Sequence, residues 1–175
     1  MQAMDDNVGA LRMHDRALAI REQVFGKEPP DTAMSYSNIG NVMQAMGGDN
    51  NGALKMHYKA LEIFEKALGK EHPDTASSYN NIGNMMRAMG AYAGALEMYN
   101  KGLMFREEAL GKEHSHTAMS YSNIGALMLV MGDNIGALEM HNKALAIFEK
   151  VHGEEHPDTI DSSNAPVAAI LEIYD

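Results

Sequence analysis

The sequence predicts an all-α superhelix of about eight antiparallel helices. Three observations point there. Blocks of residues recur at a fixed spacing, apolar residues within each block fall at helical intervals, and no strand-like alternation persists anywhere in the 175 residues. The string Asp74-Thr75-Ala76 has counterparts at Asp31-Thr32-Ala33, His116-Thr117-Ala118 and Asp158-Thr159-Ile160, at offsets of 43, 42 and 42. Asn-Ile-Gly recurs at 38–40, 81–83 and 123–125, and Gly-Ala-Leu at 9–11, 52–54, 94–96 and 136–138. A period of this size marks an array of stacked supersecondary units. The one extra residue lies in Gly47-Gly48, at a turn, where a helical hairpin tolerates an insertion most easily.

Each unit reads as two helices, A and B. In the second unit Tyr79, Ile82, Gly83 and Met86 fall at i, i+3, i+4 and i+7, one face of an α-helix. Gly90 ends that helix. Helix B follows, with Ala95, Leu96, Tyr99, Gly102 and Leu103 facing inward, and Gly111 closes it. The Lys-Glu-His-Pro-Asp linker breaks the chain at Pro, and Asp74 or Thr75 is expected to cap the next helix. Small residues recur where A and B must approach: Gly40, Gly83 and Gly125 on A, Ala53, Ala95 and Ala137 on B. Helices are expected near 8–24, 32–46, 50–68, 75–89, 92–110, 117–131, 134–151 and 159–173. The array spans 1–175 as a half repeat over 5–31, repeats over 32–74, 75–116 and 117–158, and a closing half repeat over 159–175. That last helix carries Asp161, Ser162, Ser163, Asn164 and Pro166, and reads either as a polar cap or as a decayed unit of a longer array.

Composition narrows the function classes. At 45% hydrophobic the chain can bury a core. It has no Cys, which excludes disulfides, thiolate catalysis and Cys-based zinc sites and fits a reducing, cytoplasmic compartment. A net charge of −10 argues against nucleic acid as the main partner. No apolar run approaches the ~20 residues of a membrane span, and the first residues lack the pattern of a signal peptide. No phosphate loop, nucleophile elbow or paired carboxylate motif appears, so no enzyme and no cofactor is expected.

Two residue types recur without pointing to chemistry. The 16 Met stand largely in register, as at Met43, Met86 and Met128, and suit packing within and between units. His14, His57 and His141 share one helix B position with Tyr99 and read as a buried aromatic slot. His114, His116, His152 and His156 lie near successive linkers, but without a fixed carboxylate they make no metal site.

The pattern Tyr79, Ile82-Gly83, Tyr92, Ala95, Tyr99 and Gly102 resembles the tetratricopeptide repeat family, from Gly9 to Thr159. The family's usual repeat is about 34 residues; the longer unit here, with Leu-Gly-Lys-Glu-His-Pro-Asp-Thr-Ala at 68–76, looks like the kinesin light chain subclass. The resemblance implies a protein–protein interaction scaffold whose A helices line a concave groove. The groove positions it implies are Met34, Ser37, Asn38, Asn41 and Gln44, then Ser77, Asn80, Asn81, Asn84 and Arg87, then Met119, Ser122, Asn123, Ala126 and Leu129. Once the inward faces are assigned, these are the A-helix positions left over.

Across 32–46, 75–89 and 117–131 the only charged residue is Arg87. The groove is therefore expected to be neutral and rich in Asn and Ser. Asn both donates and accepts, so Ser37, Asn38, Asn41, Asn80, Asn81, Asn84, Arg87, Ser122 and Asn123 form the candidate peptide-binding set. The competing reading is that these amides bond their own helix or neighbouring helices. Two other functions compete with a groove-binding scaffold: a module that self-associates through its end helices to form a homo-oligomer, and a regulatory array belonging to a larger signalling protein.

Overall fold

The computed structural model describes the backbone of residues 2–47 and 49–163, with side chains from Asn7 onward. Its helices are α1 (Gln2–Phe25), α2 (Pro30–Met46), α3 (Asn50–Leu68), α4 (Pro73–Ala88), α5 (Tyr92–Leu110), α6 (Ser115–Val130) and α7 (Asn134–His152). Helical backbone starts again over 157–163. Gly48, Pro166 and the rest of the expected closing helix lie outside the described residues.

Each helix packs on its neighbours in sequence. The pairs within a repeat, α2 with α3, α4 with α5 and α6 with α7, are packed more extensively than the pairs between repeats. The core is a row of clusters that alternate along the array. Ala33, Tyr36, Ala60 and Phe64 form one, Leu61, Tyr79, Ile82 and Met98 the next, then Ala95, Tyr99, Ile124 and Leu127, and then Ala118, Ala144 and Phe148. A helix buries one flank against its own repeat and the other against the next, as in any solenoid. Gly90 (φ 76°) turns A into B and Gly111 (φ 90°) turns B into A, in the left-handed region that favours glycine.

The linker is held differently from expectation. The helix starts at Pro73, whose missing N–H costs nothing in the first turn. The cap is His72, whose Nδ1 accepts from the Asp74 N–H at 3.2 Å. His114 and His156 do the same at 3.1 and 3.2 Å. Thr75 instead donates its hydroxyl back to the Gly69 carbonyl (2.7 Å), and Thr117 to that of Gly111 (2.8 Å). The recurring His is thus a local structural device, and capping by Asp74 or Thr75 is not what the fold uses.

Two further ladders lock neighbouring repeats. Tyr36, Tyr79 and Tyr121 on the A helices donate to Glu22, Glu65 and Glu107 on the preceding B helices. Burial, and then the bonded carboxylate, pushes the Tyr36 and Tyr121 phenols up to about 12 and Tyr79 upward as well. The second ladder is Arg21, which donates to the Asp31 carbonyl and Ser35 Oγ, and Arg106, which donates to the His116 carbonyl and Ser120 Oγ.

Candidate functional site

Helices α2, α4 and α6 present one side to the protein's own core and the other to an open face. On that face Met34 and Met119 are 48% and 49% exposed, although large apolar side chains are usually covered. Asn38, Asn41 and Arg87 are exposed, and Ser37, Asn81, Asn84, Ser122 and Asn123 are half-buried. Asn38, Asn81 and Asn123 occupy one repeat position, so the face offers one partly open amide per repeat. Asn84 is partly committed, because its Oδ1 accepts from the Tyr99 hydroxyl at 2.7 Å.

Asn80 does not belong to this face. It is 4% exposed, its Nδ2 donates to the Ala76 carbonyl at 3.0 Å, and it lies against Gly102. A Cβ at Gly102 would stand 2.6 Å from Asn80 Nδ2. The other copies pair a smaller residue on A with a larger one on B: Ser37 with Ala60, and Ser122 with Ala144. Asn80 and Gly102 are one volume-conserving exchange within the core, and this matched variation between copies is the signal in the sequence that reveals it.

The face deepens at one end into a cavity of about 480 Å³ between α4, α6, α7 and residues 157–163. Arg87, Met119, Ser122, Asn123 and Ala126 line one side of it, bringing together three of the candidate residues. Ser37, Asn38, Asn41, Asn81 and Asn84 are not among its lining. The other side brings His141, Phe148, Asp158, Asp161 and Ser162. The uncharged groove expected from helices A therefore gives way here to two carboxylates facing one guanidinium. The expectation counted charge over three A helices and left out the first turns of the fourth, where Asp161 takes the repeat position of Met119.

The aromatic slot is buried as expected. His57 and His141 are 0% and 3% exposed, and none of their ring nitrogens has a hydrogen-bond partner among the described residues. Burial pushes His57 down to about 4 and lowers His141, so both rings are neutral near neutral pH. Among the described residues no group of three or more His, Asp or Glu is placed to hold a metal ion, and no helix is long and apolar enough to cross a membrane.

Solved structures share this fold along nearly the whole chain. BtubC (BKLC) from P. vanneervenii superposes with a TM-score of 0.86 at 24% identity, over 99% of this chain and 69% of that one. A putative kinesin light chain of Podosopora anserina, with nearly identical TPR-like repeats, gives 0.80 at 20% identity over 99% and 82%. The apo form of RapI gives 0.80 at 20% identity over 96% and 58%. No curated protein matches the sequence. Tetratricopeptide repeat models match residues 47–108, and residues 2–31 and 117–158. These matches take in most of the chain, and the chain belongs to the tetratricopeptide repeat family.

Proposed function

We propose that this protein is an interaction scaffold that holds an extended segment of another protein along the open face of α2, α4 and α6. Tetratricopeptide repeat proteins generally bind proteins or peptides. The observation that carries the reading is the character of this face. It combines exposed Met34 and Met119 with open amides at Asn38 and Asn41, with charged side chains at one end, where Arg87, Asp158 and Asp161 line the cavity. Such a surface offers apolar contact and paired donors and acceptors to a peptide backbone. On this reading the chain's task is holding rather than turnover.

The test places a photo-crosslinking amino acid at Asn41 and, separately, at Glu97, whose side chain is 61% exposed on α5. Irradiation in extracts of the source cell should yield a discrete adduct from position 41 and none from position 97. Equal adducts, or adducts from 97 alone, would move the binding surface to the outer wall.

A further inference from the structure

One B-helix position carries Arg21, Phe64, Arg106 and Phe148 in successive repeats. Arg106 is only 6% exposed. Its guanidinium reaches between α4 and α6, donating to the His116 carbonyl (3.0 Å), Ser120 Oγ (2.8 Å) and Ser77 Oγ (3.2 Å). One repeat on, Asp158 takes the place of His116 and Ser162 that of Ser120. The acceptors persist but the guanidinium does not, because Phe148 stands where Arg106 would be.

Phe64 makes the same exchange, yet there Ser78 still donates to the Asp74 carbonyl at 3.1 Å; the last copy differs. Ser162 is 7% exposed and its Oγ has no hydrogen-bond partner among the described residues. His141, 3% exposed, leaves both ring nitrogens unpartnered in the same cavity. The imidazole nitrogens share their state with those of His57 and belong to the slot, but the buried Ser162 hydroxyl, lining the cavity without a partner among the described residues, points to a group that is supplied from outside. Space for that group comes from exchanges at three repeat positions. Ser122 replaces Asn80, Ala126 replaces Asn84, and His141 replaces Tyr99.

The chemistry of the missing group follows from the lining. Asp158 and Asp161 supply two carboxylates against the one cation, Arg87, and His141 is held neutral by burial. Asp158 also has His156 Nδ1 at 3.7 Å. Met119 and Phe148 give an apolar wall suited to a methylene stem. A planar fork of donors can serve Ser162 and a carboxylate together, which a point-charge ammonium does less well. The chain's net charge of −10 attracts a basic segment.

We infer that this cavity receives the guanidinium of an arginine on the bound segment, in the place that Arg106 fills one repeat earlier. The inference rests on the scaffold reading above and names the chemistry of one residue of the guest.

The experiment measures fluorescence anisotropy of labelled short peptide pools with the full chain. Each pool has one fixed residue, Arg, Lys, Glu or Leu, among randomised neighbours. The Arg pool should bind about tenfold more tightly than the Glu and Leu pools, and Asp161→Asn should remove that preference. Phe148→Arg, which returns a guanidinium to Ser162 from within, should also remove it. Asp161 is exposed, so Asp161→Asn reads the cavity even if Phe148→Arg fails to fold. Preference for the Glu or Leu pool, an Arg preference indifferent to Asp161→Asn, or no binding of any pool would each overturn the inference. If binding is lost on changing Asn38, Asn81 and Asn123 but shows no Arg preference, the groove stands and the arginine site falls.

Discussion

Gly83 lies flat against the ring of Tyr99, so that a Cβ at 83 would stand 2.6 Å from Cδ1 and Cε1. The same relationship joins Gly40 to His57 at 2.8 Å and Gly125 to His141 at 2.9 Å. It explains a glycine kept in the middle of three helices at a cost of about 1 kcal/mol each against alanine. Gly83→Ala should therefore destabilise by about 1–3 kcal/mol, despite the better helix former. Gly9→Ala, where nothing lies within 4 Å, should be neutral or stabilising. Thermal melts of the two variants decide this, and a higher melting temperature for Gly83→Ala would count against the contact.

Ala95 is fully buried, in the cluster with Tyr99, Ile124 and Leu127. Ala95→Phe should cost about 1–3 kcal/mol by overpacking. Glu97→Phe, on the outer wall beside Lys101, should stay within about 0.5 kcal/mol. Equal shifts in melting temperature would show that the two faces of α5 are misassigned.

Stability should depend on pH through the buried imidazoles. His57 is neutral in the fold down to about pH 4, whereas in the unfolded chain it binds its proton near 6.5. As pH falls below 6.5 the unfolded state takes up the proton first, so stability drops until about pH 4 and then levels off. The loss from His57 is about 3 kcal/mol, and His141, also lowered, adds in the same direction. His57→Tyr puts there the residue of the next repeat, with Asn41 at the register of the Asn84 that bonds Tyr99. The variant should flatten the pH profile of the melting temperature between 4 and 6.5. An unchanged slope would contradict the assignment.

The His caps make a separate prediction. His72→Ala removes the acceptor for the Asp74 N–H and should cost about 0.5–2 kcal/mol, while His72→Ser should retain most of the stability. Chemical denaturation of the two variants separates them. Equal midpoints would mean that the cap contributes nothing.

The hairpins were legible because three kinds of signal agree: the spacing of Asn-Ile-Gly and Gly-Ala-Leu, the helical interval of Tyr79, Ile82 and Met86, and the closing glycines. What was not legible depends on which side chains meet across helices. The repeat of Gly83 and Ala95 marks small residues at a crossing, but not that the ring of Tyr99 lies on Gly83. Asp74 and Thr75 resembled caps by residue type, yet the Thr75 hydroxyl is drawn back to Gly69 and the imidazole before Pro73 takes the N–H. Asn80 resembled its neighbour Asn81, and only its pairing with Gly102 places it inside. The acidic side of the cavity comes from residues 157–163, which the repeat pattern presents as an end piece rather than as a wall.

On the function proposed above, the open face of the A helices holds the partner. The most direct measurement is calorimetric titration of the partner, identified by crosslinking, into the wild-type chain and into Asn38→Ala, Asn81→Ala, Asn123→Ala combined. Alanine favours the helix, and among the described residues the side chains of these three amides make no hydrogen bond and none is fully buried. The triple variant should melt within a few degrees of wild type and no longer bind. Unaltered affinity would contradict that function by placing the site elsewhere, and loss of the melting transition would contradict it by showing that the amides hold the repeats together.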